Sequence, residues 1–210
     1  MKTRSVWPIF ILILFPVSGW SQSSEKPQKK RESDYAVESY LRSPQPDEDQ
    51  LRGFELRATQ KLEDFMDFVK IISNSDYPES LREHAREMAI KLFVSDSTRI
   101  AFLLPGTHRD TVIPVSGLLN LLLYEKDLRI DPALSSFRIS EPLQEIPKGE
   151  YAGKIAYIQL SRFFNEDPGG SEPIRRLFEG DILLRKIPKN FGYETRDVWE
   201  VSLGNIRLVE

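Results

Sequence analysis

The hydrophobic period changes once along this chain, and that change most restricts what the chain can fold into. From Gln50 onward, Leu51, Phe54, Ala58, Leu62, Phe65, Met66, Val69 and Ile72 recur at three- and four-residue steps with charges between them. That spacing predicts an amphipathic helix over residues 50–73. Asp47 and Asp49 lie where its dipole favours negative charge, and Ser73-Asn74-Ser75-Asp76 stops it. Pro78-Glu79 opens a second helix over residues 79–93, whose apolar set is Leu81, Ala85, Met88, Ala89, Leu92 and Phe93. The short turn between the two predicts an antiparallel helical hairpin. Glu79, Arg82, Glu83, Arg86 and Glu87 read as its ion-paired, solvated face, with His84 near the polar boundary. Residues 114–124 carry Val115, Leu118, Leu119, Leu121, Leu122 and Leu123 without a charge. They predict a buried third helix, too short to span a bilayer.

Past Glu125 the period becomes two. Phe137 and Ile139 alternate with Arg138 and Ser140, and residues 151–162 place Ala156, Ile158 and Leu160 opposite Ile155, Tyr157 and Gln159. Residues 174–187 hold Ile174, Leu177, Phe178, Ile182, Leu183, Leu184 and Ile187. Residues 188–192 read as a turn, and residues 193–208 return with Trp199, Val201 and Leu203 on one face. Gly204-Asn205 bends that last strand. Asp131-Pro132 and Ser171-Glu172-Pro173 read as punctuation, and residues 98–104 as an earlier strand ended by Pro105-Gly106. Long strands joined by short turns predict an antiparallel meander. The expected fold class is α+β, with N-terminal helices packed on a curved antiparallel β-sheet.

The first residues read as an address. Lys2 and Arg4 precede an apolar run from Trp7 to Val17, and Gly19 and Ser21 supply small residues for cleavage after position 21. Residues 1–21 are expected to be a signal peptide, so the mature protein would have no stable membrane span. Residues 22–48, rich in Ser, Gln, Lys, Glu and Pro, read as a disordered or tethering linker, and residues 49–210 as a single α+β domain. With no cysteine, disulfides, thiol nucleophiles and Cys-bound metals are excluded. An exported domain held together without disulfides suits a bacterial envelope, periplasmic or extracellular. The formal charge of −3 gives no basis for sequence-independent nucleic-acid binding. With His84 and His108 as the whole histidine complement, no metal or cofactor is expected.

The opening helix, the second helix leading into Asp96-Ser97-Thr98-Arg99-Ile100, and the closing stretches Ile182-Leu183-Leu184-Arg185 and Val198-Trp199-Glu200-Val201 resemble in layout the nuclear transport factor 2-like superfamily, the cystatin-like cone, over residues 50–208. The resemblance implies a sheet and helices enclosing a pocket that is catalytic in some members, ligand-binding in others and neither in many. It implies no particular reaction. It also admits a homodimer through the outer sheet face near Trp199.

Chemistry-bearing residues are sparse. His108 has the pKa for a general base, and Asp110 stands two residues on to orient it. Glu200 is an acid within a strand-like run, a candidate for a carboxylate pointed into a cavity. Tyr157, Arg185 and Trp199 are candidate ligand contacts on the same strands. Residues 165–170 match a calcium loop in composition only. No nucleophile elbow, phosphate loop or dinucleotide fingerprint occurs. The expected function is therefore a non-catalytic binding or scaffold domain of the bacterial envelope, holding a small apolar ligand or peptide or meeting an envelope protein. The alternative is a pocket hydrolase or isomerase using a carboxylate or His108.

Overall fold

A computed structural model describes residues 45–102, 111–125, 127–164 and 172–209. The expected signal peptide, most of the linker, His108, Asp110 and the acidic turn 165–170 lie outside the described residues. Among the described residues, three helices precede or interrupt the first strands: α1 (Glu48–Ser73), α2 (Glu79–Ile90) and α3 (Val115–Tyr124). The strands are β1 (Arg99–Phe102), β2 (Thr111–Pro114), β3 (Arg129–Ile146), β4 (Glu150–Phe164), β5 (Ile174–Phe191) and β6 (Glu194–Leu208). The architecture is α+β. The sheet is open, with strand order β2-β1-β6-β5-β4-β3. No helix among the described residues is long and apolar enough to cross a membrane.

α1 starts where its cap can form. The Asp47 side chain accepts from the Gln50 backbone N–H at 2.8 Å, and the Gln50 side chain accepts from the Asp47 N–H at 3.0 Å. This reciprocal box satisfies two otherwise orphaned donors. Phe54, Ala58, Leu62, Phe65, Met66, Val69 and Ile72 are buried along one stripe. Each large side chain so removed from water contributes about 1.5–3 kcal/mol. Two polar contacts pin the helix to β3. Glu55 accepts from the Leu143 N–H at 2.8 Å, and the Ser73 hydroxyl both donates to the Ile130 carbonyl (3.0 Å) and accepts from the Ile130 N–H (3.1 Å). With one flank fixed on β3, the other flank, carrying Arg57 and Lys61, lies toward β6.

β3 to β6 form the expected antiparallel meander. The sheet as a whole is mixed, however, because β1 runs parallel to β6 at Ile100–Ile206 and pairs antiparallel with β2. The connection leading into β1 also pairs with β6: Val94 N–H donates to the Leu203 carbonyl, and Leu203 N–H to the Leu92 carbonyl, both at 2.9 Å. Phe93 thus ends in a β-bridge rather than in the second helix, which stops at Ile90. Asp131-Pro132 lies inside β3 instead of punctuating the chain; β3 is an edge strand, where a missing N–H is tolerated. Gly204-Asn205 forms a bulge: Ile182 pairs with Leu203 and Gly180 with Ile206, leaving two residues opposite Asp181.

The second helix sits rotated from its expected phase. Leu81 and Met88 are exposed, whereas Arg82 is buried at 8% exposure. Its guanidinium donates to the carbonyls of Ile72 (2.7 Å), Leu122 (3.2 Å) and Leu123 (2.6 Å), in the last turns of α1 and α3. A cation there satisfies orphan carbonyls and complements two dipole ends at once. Arg86 likewise donates to Asn120 at 2.7 Å. His84 is exposed, as its phase implied.

Candidate functional site

The space between α1 and the sheet is filled. Tyr157 is 2% exposed and stacks on Phe178, ring centroids 5.6 Å apart. Around Phe65, Ile100, Tyr157 and Gln159 only about 10 Å³ remains, the room of a single water. Burial pushes the Tyr157 phenol far above its ordinary pKa, so it stays neutral. Tyr157, considered from the sequence as a ligand contact, is a core residue.

Larger concavities flank this interior, among them an open one of about 460 Å³ between α1 and Phe137 of β3. Another lies at the open edge of β6, which no described strand covers before Leu203. It has a volume of about 340 Å³, between α1 and the β5–β6 hairpin. Phe54 and Trp199, the latter 4% exposed, form its floor, and Phe191, 47% exposed, forms its rim. Trp199 is fixed from below by Tyr151, edge to face at 5.7 Å, and the Lys186 ammonium lies 5.0 Å from its ring centre.

Arg57, Lys61, Lys189 and Glu200 supply the charge of this edge pocket. Exposed Arg57 and half-buried Lys61 are one turn apart beside the apolar stripe of α1, and both line the pocket. Glu200 meets Lys189 at 2.6 Å and Lys61 at 3.7 Å. Burial would raise the Glu200 pKa, but the Lys189 hydrogen bond and the charges of Lys61, Lys189 and Arg57 outweigh it and hold the carboxyl below its usual range. Lys61 is shifted down, first by burial, then by the like charges of Lys189 and Arg57, with Glu200 opposing. The arrangement can hold an anion beside an apolar surface.

A further concavity, about 660 Å³, lies on the sheet face opposite the core. Phe178, Ile182 and Leu184 point inward, so Asp181 between them points away. Around it, Lys154 pairs closely with Glu141, and Arg207 reaches Glu179 at 2.8 Å and Asp181 at 3.4 Å. Burial raises the Asp181 pKa; Arg207 and Lys154 oppose the rise, while Glu179 and Glu141 add to it. Two close approaches shape the cleft. A Cβ on Gly153 would stand 2.8 Å from the Glu141 carbonyl oxygen, and one on Gly204 2.8 Å from the Asp181 Cβ. The charges of this cleft pair mainly with one another.

Of the residues singled out in the sequence, the structure brings Glu200 and Trp199 together in the edge pocket. Arg185 stands opposite Glu200 in register but makes no ion pair with it among the described residues. It donates instead to the Val94 carbonyl at 3.4 Å, and its buried Nε has no partner there. Phe54, Arg57, Lys61 and Lys189 were not singled out. Their one sequence signal is the Arg57–Lys61 pair, four residues apart on the flank of an apolar stripe. Lys189 is hidden because residues 188–191 continue β5; the turn is the two-residue loop Gly192-Tyr193. Among the described residues no group of acids and histidines is placed to hold a metal ion. Compared with known proteins, the chain matches no family model, no curated protein and no solved structure.

Proposed function

We propose that this is a non-catalytic binding domain, exported to the bacterial envelope, that holds a small apolar ligand in the edge pocket between α1 and the β5–β6 hairpin. The observation that carries the reading is the contrast between the filled interior, about 10 Å³ around Tyr157, and the aromatic-floored pocket of about 340 Å³ at Trp199. A volume of that size lies at the lower end of the range for small-molecule sites. Glu200 suits a charge partner better than a proton donor, because the surrounding cations keep it ionised. Export rests on the basic residues, apolar run and small residues before position 22. The helices-then-sheet layout supports the nuclear transport factor 2-like reading, in which pockets serve binding as readily as catalysis.

The test is titration with the neutral fluorophore N-phenyl-1-naphthylamine. The expected result is saturable binding to a single site, weakened several-fold by Phe191→Ala, a rim change that leaves the core intact. Fluorescence that never saturates, or that ignores Phe191→Ala, would overturn the reading.

A further inference from the structure

Resting on that reading of the edge pocket, the geometry points to the ligand's chemistry: we propose that it is a small apolar acid whose carboxylate lies between Lys61 and Arg57 while its apolar body covers the Phe54–Trp199 floor. The argument begins with a charge imbalance. Three cations, Arg57, Lys61 and Lys189, line the pocket against the single carboxylate of Glu200. That carboxylate is committed mainly to Lys189, at 2.6 Å.

Lys61 is left underserved. Its side chain is 17% exposed, so water satisfies it poorly, and its contact with Glu200, at 3.7 Å, is longer than an ordinary hydrogen bond. An ammonium has three donors to place, and burying it without them is costly. Arg57 has no carboxylate within 4 Å among the described residues and adds like charge to the same pocket. A second carboxylate would give Lys61 and Arg57 the partner Glu200 does not provide, and each such charge-assisted bond is stronger than a neutral one.

The apolar half of the argument is steric. A pocket of about 340 Å³ suits a compact ring system or a short chain rather than a long acyl tail. The exposed Phe191 ring sits on the hairpin tip at the rim, placed to cover a flat ligand. The site therefore suits an aromatic or short aliphatic monocarboxylate.

The experiment compares 2-naphthoate with 2-naphthamide, its neutral isostere, by calorimetry on the full chain. The expected result is at least about tenfold tighter binding of the acid, about 1.4 kcal/mol. Lys61→Met, which keeps the apolar stem, should reduce that preference to about twofold, while naphthamide affinity changes by less than about twofold and stability by no more than about 1 kcal/mol. Lys189→Met is the second variant and should lower the preference by a smaller factor, because it frees Glu200 to pair with Lys61. Equal affinity for acid and amide would overturn the anion assignment and leave the apolar-binding reading standing. An acid preference that survives Lys61→Met would overturn the role of Lys61. Failure of both ligands to bind at millimolar concentration would overturn the binding reading and this inference together. Tighter binding of Gly-Gly-Phe, through its free carboxylate, than of naphthoate would replace the small acid with a peptide end.

Discussion

Glu200 and Asp181 stand on neighbouring strands, both partly exposed, both within reach of a cation, and their pKa values are displaced in opposite directions. Glu200, 2.6 Å from Lys189, is held below the usual carboxylate range; Asp181, 3.4 Å from Arg207, is pushed above it. Burial acts the same way on both, so it does not separate them. The company does. Glu200 is surrounded by Lys61, Lys189 and Arg57, whereas Asp181 shares its cations with Glu141 and Glu179. A nearest-neighbour distance therefore says less about a charged site than the sum of charges within several ångströms. The edge pocket has surplus positive charge and room for a guest. The cleft around Asp181 is larger, but its charges mostly compensate one another.

The contrast is sharpest where it touches stability. The largest effect belongs to the filled interior around Tyr157, away from both sites. Tyr157→Ala should cost about 4 kcal/mol, read as a lowered urea midpoint, because no space beside Tyr157 lets the core collapse around the loss. A loss under about 1 kcal/mol would mean the interior is looser than its packing indicates.

Next come the walls. Gly153→Ala places a methyl 2.8 Å from the Glu141 carbonyl oxygen and 3.1 Å from the Leu143 nitrogen, both backbone atoms. It should cost about 2 kcal/mol by forcing β3 away. Lys61→Met in the edge pocket should stay within about 1 kcal/mol, since it removes a desolvated cation and leaves Glu200 with Lys189. Chemical denaturation of both variants checks the pair, and equal losses would erase the distinction between a rigid cleft and an adaptable pocket.

The smallest effects are those of pH, and their signs differ. Glu200 has a lowered folded pKa, so its contribution is fully present above the ordinary value of 4.5 and disappears as pH falls through the folded value. Glu200→Gln should therefore destabilise at neutral pH and converge on the unaltered protein in acid. Asp181 has a raised folded pKa, so its ionised form carries a penalty at neutral pH that is relieved as pH falls toward 3.8. Asp181→Asn should stabilise slightly at neutral pH, and the gain should vanish in acid. Unfolding midpoints between pH 3 and pH 7 measure both, and curves of the same sign would contradict the charge accounting.

Most of the elements were legible in the sequence because period and punctuation are local. Phe54 to Ile72 announce α1, and the alternation around Tyr157 and Trp199 announces β4 and β6. What escaped was decided by partners far along the chain. Arg82 reads as a surface charge until the carbonyls of Ile72, Leu122 and Leu123 converge on it. The four-residue β2 is too short to show a period, and β1 joins β6 in parallel although more than a hundred residues separate Ile100 from Ile206. Lys61 looks like one more solvated lysine on an amphipathic helix, yet the far strand that carries Glu200 makes it part of a pocket.

By itself, then, the sequence determined which segments are helical, which are extended and which of their faces are apolar, because these depend on side-chain spacing along one stretch of backbone. Only the tertiary structure decided that the interior would be full, that Glu200 would sit among cations and Asp181 among acids, and that Lys61 would be drawn out of water. Those properties depend on distances between residues remote in sequence, and the low dielectric that gives them their strength exists only once the layers have closed.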